Sequence, residues 1–401
     1  MSICAVVAGL GSCLPPGTVT NHDLAERLDT SDEWIRTRTG IAARRRADPG
    51  ITTADLAVAA GNAALLAADG QTAELVVLAT TTPDRRCPAT APEVAHRLGL
   101  GNVPAFDLSA VCSGFVYATA VADAVIRSGL YRSVLVIGAE TYSRIIDPED
   151  RDTAVIFGDG AGAVLYRRGG ATEPGAVHGV ELGSDGAGSD LVAIAAGGSR
   201  LPDTSPEMSR DLRFFRMSGR EVYRHAVRRM TASANAVLAQ VGWPAGQLEG
   251  FVGHQANQRI LDAVADRLGI PPERRFGNIH EVGNTAAASV PLALAHAVAQ
   301  RAAPVGGRAL LTAFGGGLTW GSIALTWPDV RPIELPPDPG RGSTAAVPSP
   351  RPEPLEEPCP PSSPDPKKPT SLSVPCGAAS SASIPPSSSR TQASATSAST
   401  R

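Results

Sequence analysis

The chain has 401 residues, of which 43% are hydrophobic and 19% charged, and its formal net charge is −3. This composition is typical of a soluble enzyme of one or two domains, and the charge gives no sign of a nucleic-acid-binding surface. No apolar run approaches the roughly 20 residues of a membrane span, and the N-terminus lacks the basic segment of a signal peptide. Six scattered cysteines do not suggest a disulfide framework or a metal site, so we expect a reduced, cytoplasmic setting.

Apolar runs alternate with amphipathic ones along the first 330 residues, which predicts an α/β fold. The predicted strands are 3–11, 74–82, 103–109, 133–140, 160–167, 248–254, 309–317 and 322–327. The predicted helices are 52–68, 90–98, 113–128, 218–240, 255–268 and 286–301. Residues 331–401 are rich in proline, serine and alanine, and they hold too little apolar surface to offset the entropy of ordering. We therefore predict that they form a disordered tail.

The order of these elements repeats. Each half contains a strand, a helix, a short strand, a turn with a polar residue, an alanine-rich helix, a strand and a glycine-rich hairpin. We therefore predict two duplicated β/α halves, 1–172 and 173–330. The alanine-rich helices 113–128 and 286–301 occupy the same place in each half. Their small side chains predict that the two helices pack together at the centre.

The segment DLSAVCSGFVYATAVADAVIRSG (107–129) places Cys112 between the end of a strand and the first alanine-rich helix. A helix N-terminus carries unsatisfied N–H groups and a partial positive charge, which lower the pKa of a thiol and favour a nucleophilic thiolate. Nearby backbone amides would stabilise an oxyanion during acyl transfer. The alternative is a buried, inert cysteine, because free cysteines often pack as small hydrophobic side chains.

Two more polar residues occupy turns of the second half. GHQANQRI (253–260) places His254 at the end of a strand, and GNTAAAS (283–289) places Asn284 before the second alanine-rich helix. A single histidine or asparagine at a turn is more often a cap than a catalyst. Three such residues at corresponding turns of a duplicated fold instead indicate one shared site.

Six motifs of the chain are DTSDEWIRTRTGI (29–41), AVCSGF (110–115), IFGDGAGAV (156–164), GHQANQRI (253–260), GNTAAASVPLAL (283–294) and AFGGGLTWGS (313–322). Together they resemble the β-ketoacyl-ACP synthase III family. The resemblance implies a thiolase-like fold with two duplicated halves in a five-layer αβαβα stack, usually as a homodimer. It also implies initiation of fatty-acid synthesis, or starter-unit loading in polyketide synthesis. No cofactor is implied beyond the substrates, a CoA thioester and phosphopantetheinyl-ACP.

The resemblance implies roles for individual residues. Cys112 would accept an acyl group from acyl-CoA, and His254 and Asn284 would bind the thioester carbonyl of malonyl-acyl carrier protein as CO₂ leaves. The backbone N–H groups of Cys112 and Gly316 would form an oxyanion hole for acylation. Phe314 would shield the thiol from water.

Contacts with the two carriers follow in the same way. Trp34 and Arg151 would enclose the adenine of CoA, Arg38 would contact the phosphate side, and Asn257 would line the pantetheine tunnel. Arg220 stands where the family often has asparagine, which affects one such contact. Because acyl carrier protein is acidic, it needs a basic docking face. The candidates on the helices after the MSG and HQAN segments are Arg224, Arg228, Arg259 and Arg267.

Two departures concern the acyl group. Ser113 adds a hydroxyl beside the nucleophile, where alanine is usual. Cys87 stands where a bulky residue of the partner subunit can form the floor of the acyl pocket. A smaller residue there predicts a deeper pocket and a preference for four- to six-carbon starters over acetyl.

Other classes of protein with the thiolase-like fold match this sequence less well. A thiolase would need a second cysteine in the late glycine-rich loop, and a 3-hydroxy-3-methylglutaryl-CoA synthase would need an acidic base. A non-decarboxylating acyltransferase typically has lost the asparagine, and a silent partner subunit would lack the cysteine. Condensation is therefore the leading hypothesis and non-decarboxylating acyl transfer the alternative. Fatty-acid and polyketide pathways both stay open, because both use the same three residues.

Overall fold

The computed structural model describes residues 3–338. The strands within that range are β1 (Ile3–Cys13), β2 (Gly17–Thr20), β3 (Ala43–Arg46), β4 (Leu75–Ala79), β5 (Ala105–Leu108), β6 (Ser133–Glu140), β7 (Gly160–Gly170), β8 (Val177–Ser184), β9 (Val192–Ile194), β10 (Phe215–Met217), β11 (Gly250–Gly253), β12 (Arg275–Phe276), β13 (Arg308–Gly315), β14 (Thr319–Thr326) and β15 (Ile333–Glu334).

The α-helices of the same range begin and end as follows: α1 (Asn21–Ala25), α2 (Asp32–Thr39), α3 (Thr53–Ala67), α4 (Ala91–Arg97), α5 (Gly114–Arg127), α6 (Arg151–Ala154), α7 (Gly219–Val241), α8 (Gln258–Leu268), α9 (Ile279–Val282) and α10 (Ser289–Ala299). Short 3-10 turns precede two of them, Val111–Ser113 before α5 and Ala286–Ala288 before α10.

Two sheets with the same topology confirm the predicted duplication. The first has the order β15-β1-β7-β6-β4-β5 and the second β12-β11-β13-β14-β8. If the five main strands of each half are numbered separately, both sheets have the order 3-2-4-5-1. In both, the 3-2 and 2-4 pairs are parallel, and the 4-5 and 5-1 pairs are antiparallel. The boundary at residues 172 and 173 stays a prediction.

The helices complete the five layers of the predicted thiolase-like fold. Helices α3 and α4 pack on the outer face of the first sheet, and α7 and α8 pack on the outer face of the second. Side chains of α5 and α10 share one apolar core between the sheets. Small residues permit this close packing: a Cβ at Gly138 of β6 would lie 2.4 Å from the Ala287 carbonyl oxygen. The fold thus fixes the starts of both alanine-rich helices in the interior.

All the predicted helices and strands are present, with ends shifted by a few residues. The sequence analysis missed β8 and the β2–β3 hairpin, whose strands mix apolar residues with glycine, arginine and threonine. It also missed the short helices α1, α2, α6 and α9 and the short strands β9 and β10. It also placed the start of the tail too early. Ile333 pairs with Gly11 of β1, and Glu334 pairs with Ser12, so backbone pairing orders this segment despite its prolines. The rest of the predicted tail lies outside the described residues.

Candidate active site

Cys112 lies at the N-terminal end of the central helix α5, as predicted. It is 8% exposed and sits in the 3-10 turn that connects β5 to α5. Val111 before it has a left-handed φ of +48°, an unfavourable conformation for a β-branched residue. The hydroxyl of Ser113 lies 2.8 Å from the Ala110 carbonyl oxygen and 2.7 Å from Thr319 Oγ1. The hydroxyl that this chain carries beside Cys112 therefore ties the turn to the glycine-rich β13–β14 hairpin.

Asn284 occupies the corresponding turn before α10. Its backbone N–H donates to the Ile156 carbonyl oxygen, and its own carbonyl oxygen accepts from the Gly158 N–H, each at 2.9 Å. Its side-chain Oδ1 accepts from the Ala286 N–H, also at 2.9 Å. Because the carboxamide oxygen is engaged in this way, the amide NH₂ is the part of the side chain left to donate. Ala286 repeats the strained geometry of the first half, with a φ of +45°.

His254 follows directly after β11. Its backbone N–H donates to the Thr312 carbonyl oxygen at 2.8 Å, and its ring Nδ1 lies 2.5 Å from Ser289 Oγ. The side chain is 2% exposed. Burial lowers the pKa of His254 to about 3, because the charged imidazolium would be desolvated. The imidazole is therefore neutral at physiological pH.

One narrow cavity of about 40 Å³ connects the three predicted catalytic residues. Cys112, His254 and Asn284 all line it, together with Phe314 and Gly316. The rest of its lining is mostly apolar and consists of Phe157, Val192, Phe215, Met217, Val222, Ala226, Met230, Ala256, Ile260 and Gly315. The cavity thus places a thiol, a neutral imidazole and an amide NH₂ in a largely apolar environment.

The expected lowering of the Cys112 pKa is wrong for this structure. Burial, with a smaller contribution from the carboxylate of Glu140, raises the pKa of Cys112 well above its usual value. Glu140 ends β6, and its carboxylate accepts hydrogen bonds from Thr81 N at 3.0 Å and from Thr82 Oγ1 at 2.6 Å. Burial raises the pKa of Glu140 to about 7, although hydrogen bonds from Thr82 and Thr81 act in the opposite direction. Desolvation therefore favours the neutral thiol of Cys112.

The four candidate CoA contacts lie near the start of α8. The guanidinium carbons of Arg38 and Arg151 lie 4.7 and 5.0 Å from the ring centroid of Trp34. Asn257 is the N-cap of α8, and its Nδ2 donates to the Arg38 carbonyl oxygen at 2.9 Å. These four residues therefore form one polar, aromatic cluster. Asn257 is not among the residues that line the cavity, although its neighbour Ala256 is.

The four candidate docking arginines are exposed on α7 and α8. Arg224 pairs with Glu221 at 2.7 Å, and Arg259 lies over the Tyr223 ring at 5.9 Å. Arg267 lies in the last turn of α8, roughly 12 Å along the helix axis from Arg259 at 1.5 Å per residue. Arg259 is thus beside Ile260 of the cavity wall, whereas Arg267 is at the far end of the helix. Arg220, at the start of α7, is also exposed.

Cys87 does not line the cavity of its own chain. It lies in the exposed loop after β4. Phe314 lines the cavity with Cys112, and Tyr142, Phe157 and Phe215 share an apolar cluster with it, in which their rings pack at centroid distances of 4.5 to 5.3 Å.

Several site residues were missed by the sequence analysis. The cavity wall on α7 consists of Val222, Ala226 and Met230, and this i, i+4, i+8 stripe was visible as a helical face. Ser289 and Glu140 had no such signal, because Ser289 is a single polar residue within an apolar run and Glu140 stands at the end of one. Within residues 3–338, no helix is long and apolar enough to cross a membrane. The same residues hold no group of three or more histidine, cysteine and acidic side chains placed to bind a metal.

Comparison with known proteins gives consistent matches. Residues 106–186 match the family described as 3-Oxoacyl-[acyl-carrier-protein (ACP)] synthase III, and residues 238–327 match its C-terminal family. Beta-ketoacyl-[acyl-carrier-protein] synthase III 5 of Streptomyces coelicolor is 57% identical over 330 residues, which cover 82% of this chain and 99% of that protein.

Solved structures are similar as well. The crystal structure of 3-oxoacyl-(acyl carrier protein) synthase III from Pseudomonas aeruginosa PAO1 is 50% identical with a TM-score of 0.76, covering 82% of this chain and 100% of that one. The priming β-ketosynthase from the R1128 polyketide pathway is 38% identical with a TM-score of 0.76, covering 81% and 96%. Sequence and fold therefore agree over the same part of the chain.

Proposed function

Because the chain belongs to the β-ketoacyl-[acyl-carrier-protein] synthase III family and is an acyltransferase-type condensing enzyme, we propose that it joins an acyl group held on Cys112 to malonyl-acyl carrier protein. The products are 3-oxoacyl-acyl carrier protein and CO₂. One observation carries the proposal: the cavity beside Cys112 also holds the His254 imidazole and the Asn284 amide. A nucleophile beside two neutral hydrogen-bond donors suits a reaction that passes through a thioester and then an enolate.

In the first half-reaction, the Cys112 sulfur attacks the carbonyl carbon of acyl-CoA. The bond from that carbon to the CoA sulfur breaks, and the thiol proton of Cys112 leaves with the CoA thiol. The resting thiol is neutral, so its proton must be lost as the new bond forms. The backbone N–H groups of Cys112 and Gly316 are the proposed donors to the oxyanion, and Phe314 shields the thiol.

In the second half-reaction, malonyl-acyl carrier protein loses CO₂, and the electron pair of the broken bond forms an enolate. The His254 imidazole and the Asn284 amide are the proposed donors to the enolate oxygen. The carbanion then attacks the acyl carbon on Cys112. The bond to sulfur breaks, and the released thiolate takes up a proton to restore the enzyme.

The test of this function is product analysis by mass spectrometry. Acyl-CoA and malonyl-acyl carrier protein labelled with ¹³C in the free carboxylate are mixed with the enzyme. We expect 3-oxoacyl-acyl carrier protein and loss of the label as CO₂. Transfer of the acyl group to an alcohol or an amine, with the malonyl label retained, would instead support the non-decarboxylating alternative. Both fatty-acid and polyketide carrier proteins belong in the assay, because the three residues serve either pathway.

The carriers are proposed to approach from the start of α8. Trp34 and Arg151 would hold the adenine of CoA by stacking, and Arg38 would contact its phosphate side, since these side chains already cluster. Asn257 would then lie beside the pantetheine arm. We propose no further cofactor and a cytoplasmic location.

Reversing the charge of Arg259 tests the docking of the carrier protein. Arg259→Glu should raise KM for malonyl-acyl carrier protein by about tenfold or more, because like charges that face each other at an interface cost several kcal/mol. KM for acyl-CoA should change much less. Steady-state kinetics at two salt concentrations measure both values. Arg267→Glu, at the far end of the same helix, tests how far the docking face extends, and Arg224→Glu and Arg228→Glu map the proposed face on α7.

An unchanged KM for malonyl-acyl carrier protein in Arg259→Glu would contradict its docking role. Equal increases in KM for both substrates would also contradict the docking role of Arg259.

A homodimer is the proposed assembly. Strand β5 is the open edge of the first sheet, and its Phe106 is 39% exposed. An unpaired edge with an exposed aromatic residue suits pairing with a second copy. The loop with Cys87 follows β4, the neighbour of that edge, so a second subunit could bring Cys87 to the acyl pocket.

Starter selection tests this role of Cys87. We expect butyryl- and isobutyryl-CoA to exceed acetyl-CoA in kcat/KM by about tenfold, because each buried methylene contributes about 0.8 kcal/mol. Cys87→Phe should remove that preference by filling the pocket. Cys87→Ser, which keeps the size, is the matched control and should keep it. A wild-type preference for acetyl-CoA, or a Cys87→Phe variant with unchanged preference, would show that Cys87 does not set the depth of the pocket.

A further inference from the structure

Ser289 is a buried polar residue in the site to which the reaction above gives no role. It is the first residue of α10, 1% exposed, and its hydroxyl oxygen lies 2.5 Å from Nδ1 of His254. The same oxygen accepts the backbone N–H of Gln255 at 3.3 Å. Ser289 thus contacts the ring nitrogen of His254 and the backbone of the next residue.

The position of the hydroxyl proton follows from these contacts. A serine hydroxyl has one proton to donate and can accept two. The oxygen already accepts from Gln255, and among the described residues Nδ1 of His254 is the acceptor within reach of the proton. If His254 carried its own proton on Nδ1, the Ser289 proton would have no acceptor in a buried site, which is costly. The arrangement that satisfies every group has Ser289 donating to an unprotonated Nδ1.

We propose that Ser289 is a positioning residue that holds His254 as the tautomer with its proton on Nε2. The hydrogen bond at one ring nitrogen decides which nitrogen carries the proton. With Nδ1 accepting from Ser289, Nε2–H is a permanent donor. This inference rests on the proposed function only for the use of that donor, which is the stabilisation of the malonyl-derived enolate.

The surroundings hold this geometry in place. The Gln255 side chain donates from Nε2 to the Gly253 carbonyl oxygen at 2.6 Å and accepts the Asn278 N–H at Oε1 at 3.2 Å. These bonds fix the loop on both sides of His254. Asn284 lies five residues before Ser289, in the turn that precedes α10. One end of α10 therefore orients both donors of the decarboxylation step: Asn284 by its own turn, and His254 through Ser289.

The direct test reads the tautomer. The full-length protein is labelled with ¹⁵N-histidine, and two-bond ¹H–¹⁵N spectra are recorded at pH 7, with the His254 signal identified by its loss in His254→Ala. We expect a protonated Nε2 and an unprotonated Nδ1 in the wild type. A wild-type His254 with its proton on Nδ1 would overturn the proposal. This result does not depend on activity, so it separates a failure here from a failure of the proposed function.

Kinetics test the consequence. Ser289→Ala should lower decarboxylation of malonyl-acyl carrier protein by roughly tenfold, the weight of one buried hydrogen bond, while acylation of Cys112 changes less than about twofold. Ser289→Cys keeps a weaker donor at the same place, so its decarboxylation rate should fall between those of the wild type and Ser289→Ala. If Ser289→Ala does not fold, Ser289→Cys replaces it in the test. Ser233→Ala, a buried serine that contacts Glu181, is the matched control and should leave both rates unchanged.

Equal losses in both half-reactions, or a decarboxylation rate that Ser289→Ala leaves unchanged, would contradict the positioning role.

Discussion

Replacing Cys112 with alanine is expected to abolish acyl transfer, with a loss of condensation of at least about 10⁴-fold, because the proposed covalent pathway passes through its thiol. Intact-mass measurement after incubation with acyl-CoA should show one acyl adduct on the wild type and none on Cys112→Ala. Decarboxylation of malonyl-acyl carrier protein should persist in the variant, since the His254 and Asn284 donors remain. Loss of the thiol should therefore separate the two half-reactions.

The control for this experiment is the exposed thiol of Cys87. An exposed cysteine is the side chain most open to unspecific acylation, so Cys87→Ser must keep the adduct seen in the wild type. If Cys112→Ala is still acylated and Cys87→Ser is not, the nucleophile has been assigned to the wrong residue.

Replacing His254 or Asn284 should have the reverse effect of Cys112→Ala: acylation continues and decarboxylation is impaired. His254→Ala and Asn284→Ala are expected to accept the acyl group but to lose decarboxylation by about 10²–10³-fold each, the usual loss for one oxyanion donor. Asn284→Asp should be at least as slow as Asn284→Ala, because it replaces the NH₂ donor with a negative charge beside the forming enolate. Acyl adducts are measured by mass, and decarboxylation by release of labelled CO₂.

The matched control for these variants is Asn257→Ala. Asn257 is the N-cap of α8 and does not line the cavity. The variant should change KM for CoA substrates more than the rate of decarboxylation. Should His254→Ala or Asn284→Ala block acylation while decarboxylation continues, the roles assigned to the two half-reactions would have to be exchanged.

The sequence predicts the framework of this protein well, because the framework depends on periodic patterns. Apolar runs gave the core strands, and the repeated order of elements predicted two similar sheets before any strand pairing was known. The turns with Cys112 and Asn284 followed from that repeat. Strands without alternation, such as β8 and β15, were missed because backbone pairing and not side-chain pattern determines them.

The electrostatics of the site were predicted poorly for a physical reason. A position at a helix N-terminus is visible in the sequence, so a lowered pKa was expected for Cys112. Burial by Phe157, Phe215 and their neighbours depends on distant parts of the chain, and burial is the largest influence on the pKa of Cys112. The contact of Ser289 with His254 likewise joins residues 35 positions apart, so no local sequence pattern predicts it.

The turns before α5 and α10 each contain a strained residue, Val111 and Ala286, and we call them the strained corners. They bear on the evolution and the engineering of the fold. Non-glycine residues with a positive φ cost on the order of 1–3 kcal/mol, and here the same cost appears at equivalent places of both halves. The shape of the turn is thus shared by the two halves, but its reactive residue stands at a different place: Cys112 follows Val111 directly, whereas Asn284 lies two residues before Ala286. A search for more thermostable variants would meet these corners as local weaknesses. Relaxing them would exchange the fixed position of the reactive groups for stability, so these are the two turns that such a search should leave alone.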